Sequence, residues 1–302
     1  MKHAAPLAPR IVLGAAAIAF SLLAAAPAMA DDAEPAAALG AATPAPADAS
    51  ASGTPMLKPL CTDRPTKSTS PCTVDAGHFQ LETDIGNVTF DHSGGADTTT
   101  SLYTNPTLKY GLSNTVDVEL NISPFETIVS KDRTSHVTTR ASGVGDLYGR
   151  LKVELAGVDG GNVSFGLEPY IKVPTASDRV GNGQVEGGVI APISINLPAN
   201  FNLVIDPEVD ALKNAANDGH HANVSGLLSL SYPVTKTVTA SAEIWGDVNS
   251  DPTGTLRQAS FDLGAAWIPA SSPNLQWDGG VNLGLNSATP AAQVYVGVSH
   301  RF

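Results

Sequence analysis

Carboxylate side chains recur at every second position in several short stretches of the sequence. The clearest examples are Glu82 with Asp84, Asp117 with Glu119, and the run from Asp206 to Asp210. Carboxylates at this spacing can bind calcium or can line a hydrated surface that attracts cations. The run at 206–210 lacks the turn glycine and the final glutamate of a calcium loop, so its composition favours the hydrated surface.

Three other motifs could carry chemistry, but each lacks the context that its chemistry requires. His220-His221 beside Asp218 could hold a metal ion, although adjacent loop histidines are more often only solvated. Gly143-Val-Gly-Asp146 has no following Lys-Ser/Thr and no helix, so it is not a phosphate-binding loop. His300 has no serine at a convincing position, as a lipid hydrolase would need. We therefore predict no catalytic residue, no cofactor site and no metal site.

Cys61 and Cys72 are the only cysteines in the sequence, with ten residues between them. An even cysteine count in an exported protein predicts a disulfide, and the alternatives are a metal pair or two free thiols. A structural zinc site needs four ligands, and neither further cysteines nor clustered histidines lie nearby.

The first thirty residues have the composition of a cleaved signal peptide. Lys2 and Arg10 form a basic region, residues 11–25 are apolar, and Ala28-Met29-Ala30 is a small-x-small cleavage site. Residues 31–57 are rich in Ala and Pro and predict a disordered periplasmic lead. Residues 58–77 are then expected to form a disulfide-containing periplasmic segment, followed by the folded domain at 78–302.

Charge and hydropathy exclude two classes of protein. The net charge is −12, and it becomes −14 when Lys2 and Arg10 leave with the signal peptide, so nucleic-acid binding is disfavoured by phosphate repulsion. No run of 18 apolar residues follows residue 30, which excludes a helical membrane protein. A mean hydropathy near zero is compatible with a β-barrel, because lipid-facing and lumen-facing residues alternate.

From residue 78 onward, the chain repeats segments of period-two alternation separated by turns. The first segment places Phe79, Leu81 and Ile85 on one face and the acidic pair Glu82 and Asp84 on the other. In the second segment, Leu102 is assigned to the apolar face together with Leu108 and Tyr110. Period two indicates half-buried strands, and twelve such segments predict an all-β fold, an antiparallel transmembrane barrel of twelve strands.

Two features favour a membrane barrel over a soluble β-sandwich. The connections after odd strands appear longer (for example 91–101, 126–141 and 247–256) than those after even strands, as in bacterial barrels with periplasmic termini. Aromatic residues of outward parity gather near the periplasmic strand ends and predict a girdle at the membrane interface. The predicted girdle comprises Phe79, Tyr110, Phe165, Phe201, Tyr232, Trp267, Trp277 and Phe302.

The aromatic residue at the end of the last strand adds a predicted partner. A strand that ends in an outward Phe302 resembles the assembly signal of outer-membrane proteins, which predicts recognition by the barrel assembly machinery through this strand. Outer-membrane lipid and a small-molecule solute are the other predicted partners, and the predicted location is the outer membrane. Pro106, Pro169, Pro192 and Pro207 fall inside strands, so we expect local bulges there.

Strand parity also assigns charged residues to the lumen, where acids outnumber bases. The predicted lumen acids are Glu82, Asp84, Asp117, Glu119, Asp146, Glu154, Glu168, Glu186, Asp206, Glu208, Asp210, Glu243, Asp262 and Asp278. The predicted lumen bases are Lys109, Arg150, Lys152 and Lys172. Such groups must be hydrated or paired, and an acidic lumen predicts a diffusion or uptake channel that favours cations.

Three alternatives to a channel remain open at this stage. The lumen could be closed by salt bridges and conduct nothing. The loop at 126–141, with Lys131, Arg133, His136 and Arg140, could serve surface interaction or contact lipid phosphates. A lipid-hydrolysing barrel is the enzyme alternative, disfavoured by the absence of a convincing serine near His300.

Several blocks of sequence resemble one known family. These blocks are Cys61-Thr-Asp-Arg-Pro-Thr-Lys-Ser68, Pro71-Cys72-Thr-Val-Asp-Ala-Gly-His-Phe-Gln-Leu-Glu82, Pro106-Thr-Leu-Lys-Tyr-Gly-Leu112, Val116-Asp-Val-Glu-Leu120 and Gly143-Val-Gly-Asp-Leu147. They resemble the MetA-pathway phenol-degradation family over residues 60–302. The resemblance implies an outer-membrane barrel that transports small aromatic or hydrophobic compounds. Strand parity gives the lumen few aromatics beyond Tyr103, Tyr148, Tyr170, Trp245 and Tyr295.

Overall fold

The structure is a computed structural model that describes residues 57–157 and 161–302. The signal peptide predicted at 1–30 and the lead predicted at 31–57, except Leu57, lie outside the described residues. No helix among the described residues is long and apolar enough to cross a membrane.

The described chain is all-β apart from one 3-10 turn at Pro198–Asn200. The strand segments, numbered in chain order, are β1 Phe79–Asp91, β2 Ala96–Thr104, β3 Thr107–Ser113, β4 Val116–Ile122, β5 Phe125–Asp132, β6 Thr138–Gly143, β7 Leu147–Ala156, β8 Val163–Val173, β9 Glu186–Ile190, β10 Ile193–Asn196, β11 Asn202–Lys213, β12 His220–Pro233, β13 Val238–Asp251, β14 Gly254–Trp267, β15 Leu275–Gly284 and β16 Ala292–Arg301.

These segments form a closed antiparallel barrel of twelve strands. Four barrel strands are interrupted once each, so that β2–β3, β4–β5, β6–β7 and β9–β10 each count as a single barrel strand. Closure comes from β1, which pairs with β16 from Gln80↔Arg301 to Phe90↔Ala292. The predicted fold class and strand number are confirmed.

The four strand prolines behave in two different ways. Pro106 and Pro192 lie at interruptions, between β2 and β3 and between β9 and β10. Pro169 and Pro207 lie inside continuous strands. The carbonyl of Pro207 accepts a hydrogen bond from the amide of Ala191, beside Pro192. The nitrogen and the carbonyl of one residue face the same neighbouring strand, so the nitrogen of Pro207, which carries no hydrogen, faces the interruption between β9 and β10. Two prolines therefore share one gap in the ladder, which limits the loss of hydrogen bonds.

The predicted alternation of loop lengths is wrong. Three of the predicted long loops consist largely of strand residues: the connection at 91–101 is mostly β2, that at 126–141 becomes β5, β6 and a turn at 133–137, and β13 and β14 are joined by residues 252 and 253 alone. Apolar patterning fades where strands extend beyond the apolar belt, so a polar strand end was mistaken for a loop. We call the end of the barrel that holds Phe79 and Phe302 the turn end, and the opposite end the loop end.

The barrel is polar inside and apolar outside, the reverse of a soluble protein. Outward residues such as Leu120, Val294 and Val296 are each more than half exposed, while most of the buried side chains are polar or charged. All eight predicted girdle aromatics lie on the outer face at the turn end. Phe79 contacts Tyr110 at 4.6 Å between ring centroids, and Phe201 contacts Tyr232 at 4.8 Å.

A bulge in β2 reverses one predicted parity. The ladder between β2 and β5 shifts at Tyr103, between Leu102 and Thr104. Leu102 consequently pairs with the inward Asn87 and faces the lumen, whereas Tyr103 points outward and contacts Phe125. Simple alternation cannot register an extra residue in a strand, so both residues had been assigned to the wrong face.

The outward belt supplies a first testable prediction. Val294 pairs with Val281 and Val88 on the outer face. Val294→Arg should lower the free energy of unfolding in phospholipid bilayers by up to about 2–4 kcal/mol, the cost of a cation on the lipid face. Val294→Leu, which keeps the surface apolar, is the matched control. Equal stability of both variants in reversible urea titrations would contradict the assignment of this face to lipid.

Candidate functional site

The fourteen predicted lumen acids and four predicted lumen bases all project inward, and each is buried or partly buried. Their distribution is uneven. The bases lie on β3, β7 and β8, on one side of the barrel, while β11 to β15 carry Asp206, Glu208, Asp210, Glu243, Asp262 and Asp278 without an inward base. One wall of the lumen is therefore mixed in charge and the other is acidic.

Residues 58–76, which we call the plug, lie inside the lumen. Residues 58–77 were predicted to precede the barrel as a separate periplasmic segment, but the side chains of this segment contact the inner wall of the barrel. The plug pairs as a strand only at Ala76, which bridges to Gly111 in parallel. Its other contacts with the wall are made largely by charged and polar groups. The physical reason for its position is charge complementarity with the two walls.

Asp63 of the plug faces the basic side of the lumen. Its carboxylate accepts hydrogen bonds from the ammonium groups of Lys109 and Lys152, the latter at 2.6 Å. Lys152 also lies 3.2 Å from both Glu119 and Glu168, and all three side chains are almost completely buried. Burial acts to raise the pKa of Asp63, but the two ammonium groups outweigh it and hold that pKa well below its usual range.

Arg64 of the plug contacts carboxylates on β1 and β15. Its guanidinium donates to Asp84 at 2.7 Å and to Asp278 at 2.8 Å, which joins β1 and β15 through one side chain. The guanidinium carbon lies 5.9 Å from the ring centroid of Tyr295. Burial acts to lower the pKa of Arg64, and the two carboxylates more than offset it, so the charge is retained.

Lys67 contacts a third group of residues, which lie on the acidic wall. Its ammonium donates to Ser260 Oγ at 2.6 Å and to Asp262 at 2.9 Å, and it lies 4.0 Å from the ring centroid of Trp245. Glu243 accepts hydrogen bonds from the backbone amides of Lys67 and Ser68, both at 3.2 Å. This arrangement combines a cation–π contact with two carboxylates.

Wall carboxylates also satisfy the backbone of the plug, which has almost no ladder of its own. The amide of Asp63 donates to Glu82 at 3.1 Å, the amide of Val74 donates to Asp117 at 2.8 Å, and that of Thr69 donates to Asp206. Buried amides without partners would be costly. Several predicted lumen acids therefore act as acceptors for a segment that the sequence analysis had placed elsewhere.

The predicted disulfide between Cys61 and Cys72 is present. It closes a loop that contains Asp63, Arg64 and Lys67, whereas the other two charged plug residues that contact the wall, Lys58 and Asp75, lie outside this loop. A cross-link restricts the conformations open to such a loop when it is not bound. The disulfide thus keeps the three contacts together as one unit.

Glycines in the wall leave space where the plug backbone approaches it. A Cβ atom at Gly264 would lie 2.9 Å from Pro65 Cγ, and one at Gly166 would lie 3.1 Å from Pro71 Cα. A Cβ at Gly111 would clash with the carbonyl oxygen of Asp75, and one at Gly297 with the guanidinium of Arg64. All four glycines have inward parity, a signal in the sequence that pointed to a close neighbour inside the barrel.

Further lumen charges escaped the sequence analysis. Arg301 is inward and donates to Asp75 at 2.7 Å and to the carbonyl of Lys58 at 2.8 Å, anchoring both ends of the plug. Asp247 on β13 is inward and 2% exposed. Both follow the parity of their strands. The alternation of β16 assigns Arg301 to the inner face because the neighbouring Phe302 is outward.

The chemical motifs considered in the sequence have ordinary surroundings. His221 points inward and contacts Asn249 at 2.8 Å, whereas the neighbouring His220 contacts the carbonyl of Val185, so the two rings do not converge. His300 stacks against Phe302. Within the described ranges, Asp63, Glu119 and Glu168 bring carboxylate oxygens within 4.8 Å of one another. The ammonium groups of Lys109 and Lys152 lie against these oxygens and balance their negative charge.

Comparison with known proteins identifies one family and several solved structures that this chain resembles. The profile of the family described as "Putative MetA-pathway of phenol degradation" matches residues 62–302. An outer membrane channel from Pseudomonas putida F1 is similar in structure, with a TM-score of 0.61, 13% sequence identity, and coverage of 79% of this chain and 100% of that chain. The translocator domain of the autotransporter NalP from Neisseria meningitidis aligns with a TM-score of 0.46 and 14% identity, covering 75% of this chain and 89% of that domain. No curated protein matches the sequence significantly.

The glycine contacts generate a prediction about the plug. Gly264→Val should push Pro65 and Thr66 away from the wall while leaving the ladder of β14 intact. Overpacking costs about 1–3 kcal/mol, so tryptic cleavage after Lys67, which precedes Ser68, should accelerate by about tenfold, since 1.4 kcal/mol corresponds to tenfold. Gly86→Val is the matched control, because a Cβ there meets nothing within 4 Å. Equal cleavage rates in the two variants would refute close packing of the plug against β14.

Proposed function

We propose that this chain, which belongs to the family described as "Putative MetA-pathway of phenol degradation", is an outer-membrane channel for small solutes that its own plug closes. The chain is exported by a signal peptide at 1–30, lies in outer-membrane lipid with both termini in the periplasm, and is inserted by the barrel assembly machinery through β16. None of the predicted roles requires a cofactor or an active site.

The observation that carries the proposal is the way in which the plug is held. Apart from the bridge at Ala76 and Gly111, the plug adds no strand pairing to the wall. Asp63, Arg64 and Lys67 hold it through side chains, and the twelve barrel strands close without it. A segment of this kind can leave the lumen without breaking the barrel, and its departure uncovers a polar, hydratable path.

Water-accessible space already exists beside the plug. A cavity of about 300 Å³ lies at the turn end, and half of its lining residues carry hydroxyl groups, among them Thr62, Ser194, Ser231 and Ser241. Such a surface suits water and small polar solutes. The family description suggests phenolic compounds, whereas the lumen of this chain offers few aromatic side chains and many carboxylates. We therefore favour a small polar solute, with cations preferred.

One observation favours a second candidate, a barrel that conducts nothing. Each of the three central plug charges is matched by at least one opposite charge, and the Lys152 ammonium lies in an almost fully buried network. Removal of one partner from a buried ion pair is strongly unfavourable. A plug held so firmly would make the protein a structural or surface-interaction barrel.

Planar-bilayer recording decides between these candidates. Asp63→Lys places a third ammonium beside Lys109 and Lys152, and breaking a buried ion pair costs about 3–5 kcal/mol. The occupancy of the open state should therefore rise by about a hundredfold or more, since each 1.4 kcal/mol is tenfold. Asp97→Lys makes the same charge change at an exposed carboxylate near the loop end and should show the same open-state occupancy as the wild type. Heat-modifiable gel mobility verifies that each barrel is folded.

The same recordings test ion preference. Under a salt gradient, the reversal potential of the Asp63→Lys protein should indicate cation selectivity, because wall acids outnumber wall bases. Anion selectivity would contradict the role assigned to the acidic wall. A complete lack of current in folded wild type and folded Asp63→Lys would overturn the channel proposal and favour the second candidate, a structural or surface-interaction barrel.

A further inference from the structure

The partners of Lys67 form a site of recognisable chemistry. Its ammonium contacts one aromatic face, one hydroxyl and one carboxylate. A second carboxylate, Glu243, accepts hydrogen bonds from the backbone amides of Lys67 and Ser68. Trp245 and Glu243 on β13 and Ser260 and Asp262 on β14 supply these groups, and ladder pairs Trp245↔Ser260 and Glu243↔Asp262 fix their spacing. All four side chains are buried and belong to the rigid wall.

The wall contributes all of these groups, and Lys67 contributes only the cation. An aromatic face beside carboxylates is a common recognition pattern for organic ammonium groups. A methylene stem and a terminal ammonium are all that Lys67 presents, so its side chain is chemically equivalent to a short alkylammonium ion. The plug thus acts as a tethered ligand of a site that the barrel wall builds.

A second observation shows that Lys67 does not exhaust this site. Asp262 is completely buried, and its Oδ1 atom accepts no hydrogen bond within the part of the chain that the structure describes. Lys67 uses the other oxygen, Oδ2, and its own side chain keeps 26% of its surface exposed. An unattached ammonium, free of the geometry of the plug backbone, could use both oxygens.

We propose that Trp245, Glu243, Ser260 and Asp262 form a binding site for small alkylammonium solutes, which Lys67 occupies while the plug is in place. The proposal rests on the proposed function only in that it names a solute class for the channel. A primary amine that enters the lumen competes with Lys67 for the same partners, so the solute and the plug exclude each other at this point of the wall.

Chemical rescue tests the site directly. Lys67→Ala removes the propylammonium portion of the side chain and leaves the wall intact. Calorimetric titration of the folded, detergent-solubilised protein with n-propylammonium chloride should then show binding about tenfold or more tighter than to wild type, where Lys67 competes as a tethered ligand of high effective concentration. Lys67→Met is the matched control, since it fills the space without a charge and should not gain binding.

Two further comparisons identify the chemistry of the site. Asp262→Asn in the Lys67→Ala background should weaken propylammonium binding by about tenfold or more, because charge-assisted hydrogen bonds are worth about 1.5–3 kcal/mol. The neutral isostere 1-propanol should not bind to any variant. Equal binding of propylammonium to Lys67→Ala and Lys67→Met would overturn the proposal, as would binding that is indifferent to Asp262→Asn.

The wild type provides a measurement that depends on no plug variant. Propylammonium should change the fluorescence of Trp245 in the wild type, whereas 1-propanol should not, and Trp245→Phe should remove that change while the outward Trp267 and Trp277 remain. No ammonium-specific change in folded wild type and no binding to Lys67→Ala would refute the site. Because neither assay requires current, loss of the channel proposal alone would leave these results in place.

Discussion

The structure depends on the need to neutralise carboxylates that face a narrow lumen. A closed barrel has no apolar core inside, so its inner face must be hydrated or paired. Apart from Arg301 on β16, the wall bases lie on one side, with Lys109 and Lys152 near Glu119 and Glu168. The opposite wall has carboxylates but no comparable bases. The plug corrects this imbalance, since Arg64 reaches Asp278 and Lys67 reaches Asp262 on the acidic wall, while Asp63 goes to the basic side.

This constraint also explains why the wall has gaps where the plug lies. A segment without strand pairing must bring its backbone close to the wall for carboxylates to accept from its amides, as Asp117 does from Val74. Side chains at Gly166 and Gly264 would prevent that approach. Glycine costs some strand stability, and the close contact with the plug offsets this cost. The disulfide then limits the loop to conformations that match these gaps.

The sequence predicted those parts of the fold that follow a period. Alternation of side chains gave the number of barrel strands, the inward acids and the outward girdle, because period two is a direct consequence of strand geometry. It failed at Leu102 and Tyr103, where a bulge shifts the period by one residue. The plug has no period, so nothing in its local pattern indicated its position. The available signals were non-local: inward glycines such as Gly264, and an excess of wall acids without bases.

Charge pairing is also the form of closure that best permits opening. Replacing buried ion pairs by apolar contacts often increases stability. An apolar plug, however, would have to leave behind an apolar lumen surface, and exposure of such a surface to water is unfavourable. In the proposed open state, Asp84, Asp278 and Asp262 would keep favourable partners, because water would replace Arg64 and Lys67. The free-energy difference between the two states is thereby reduced to a difference between ion pairing and hydration, which solutes in the lumen can alter. In the proposed mechanism, the acidic wall therefore serves both the closed and the open barrel, which accounts for carboxylates that outnumber the bases of the wall itself.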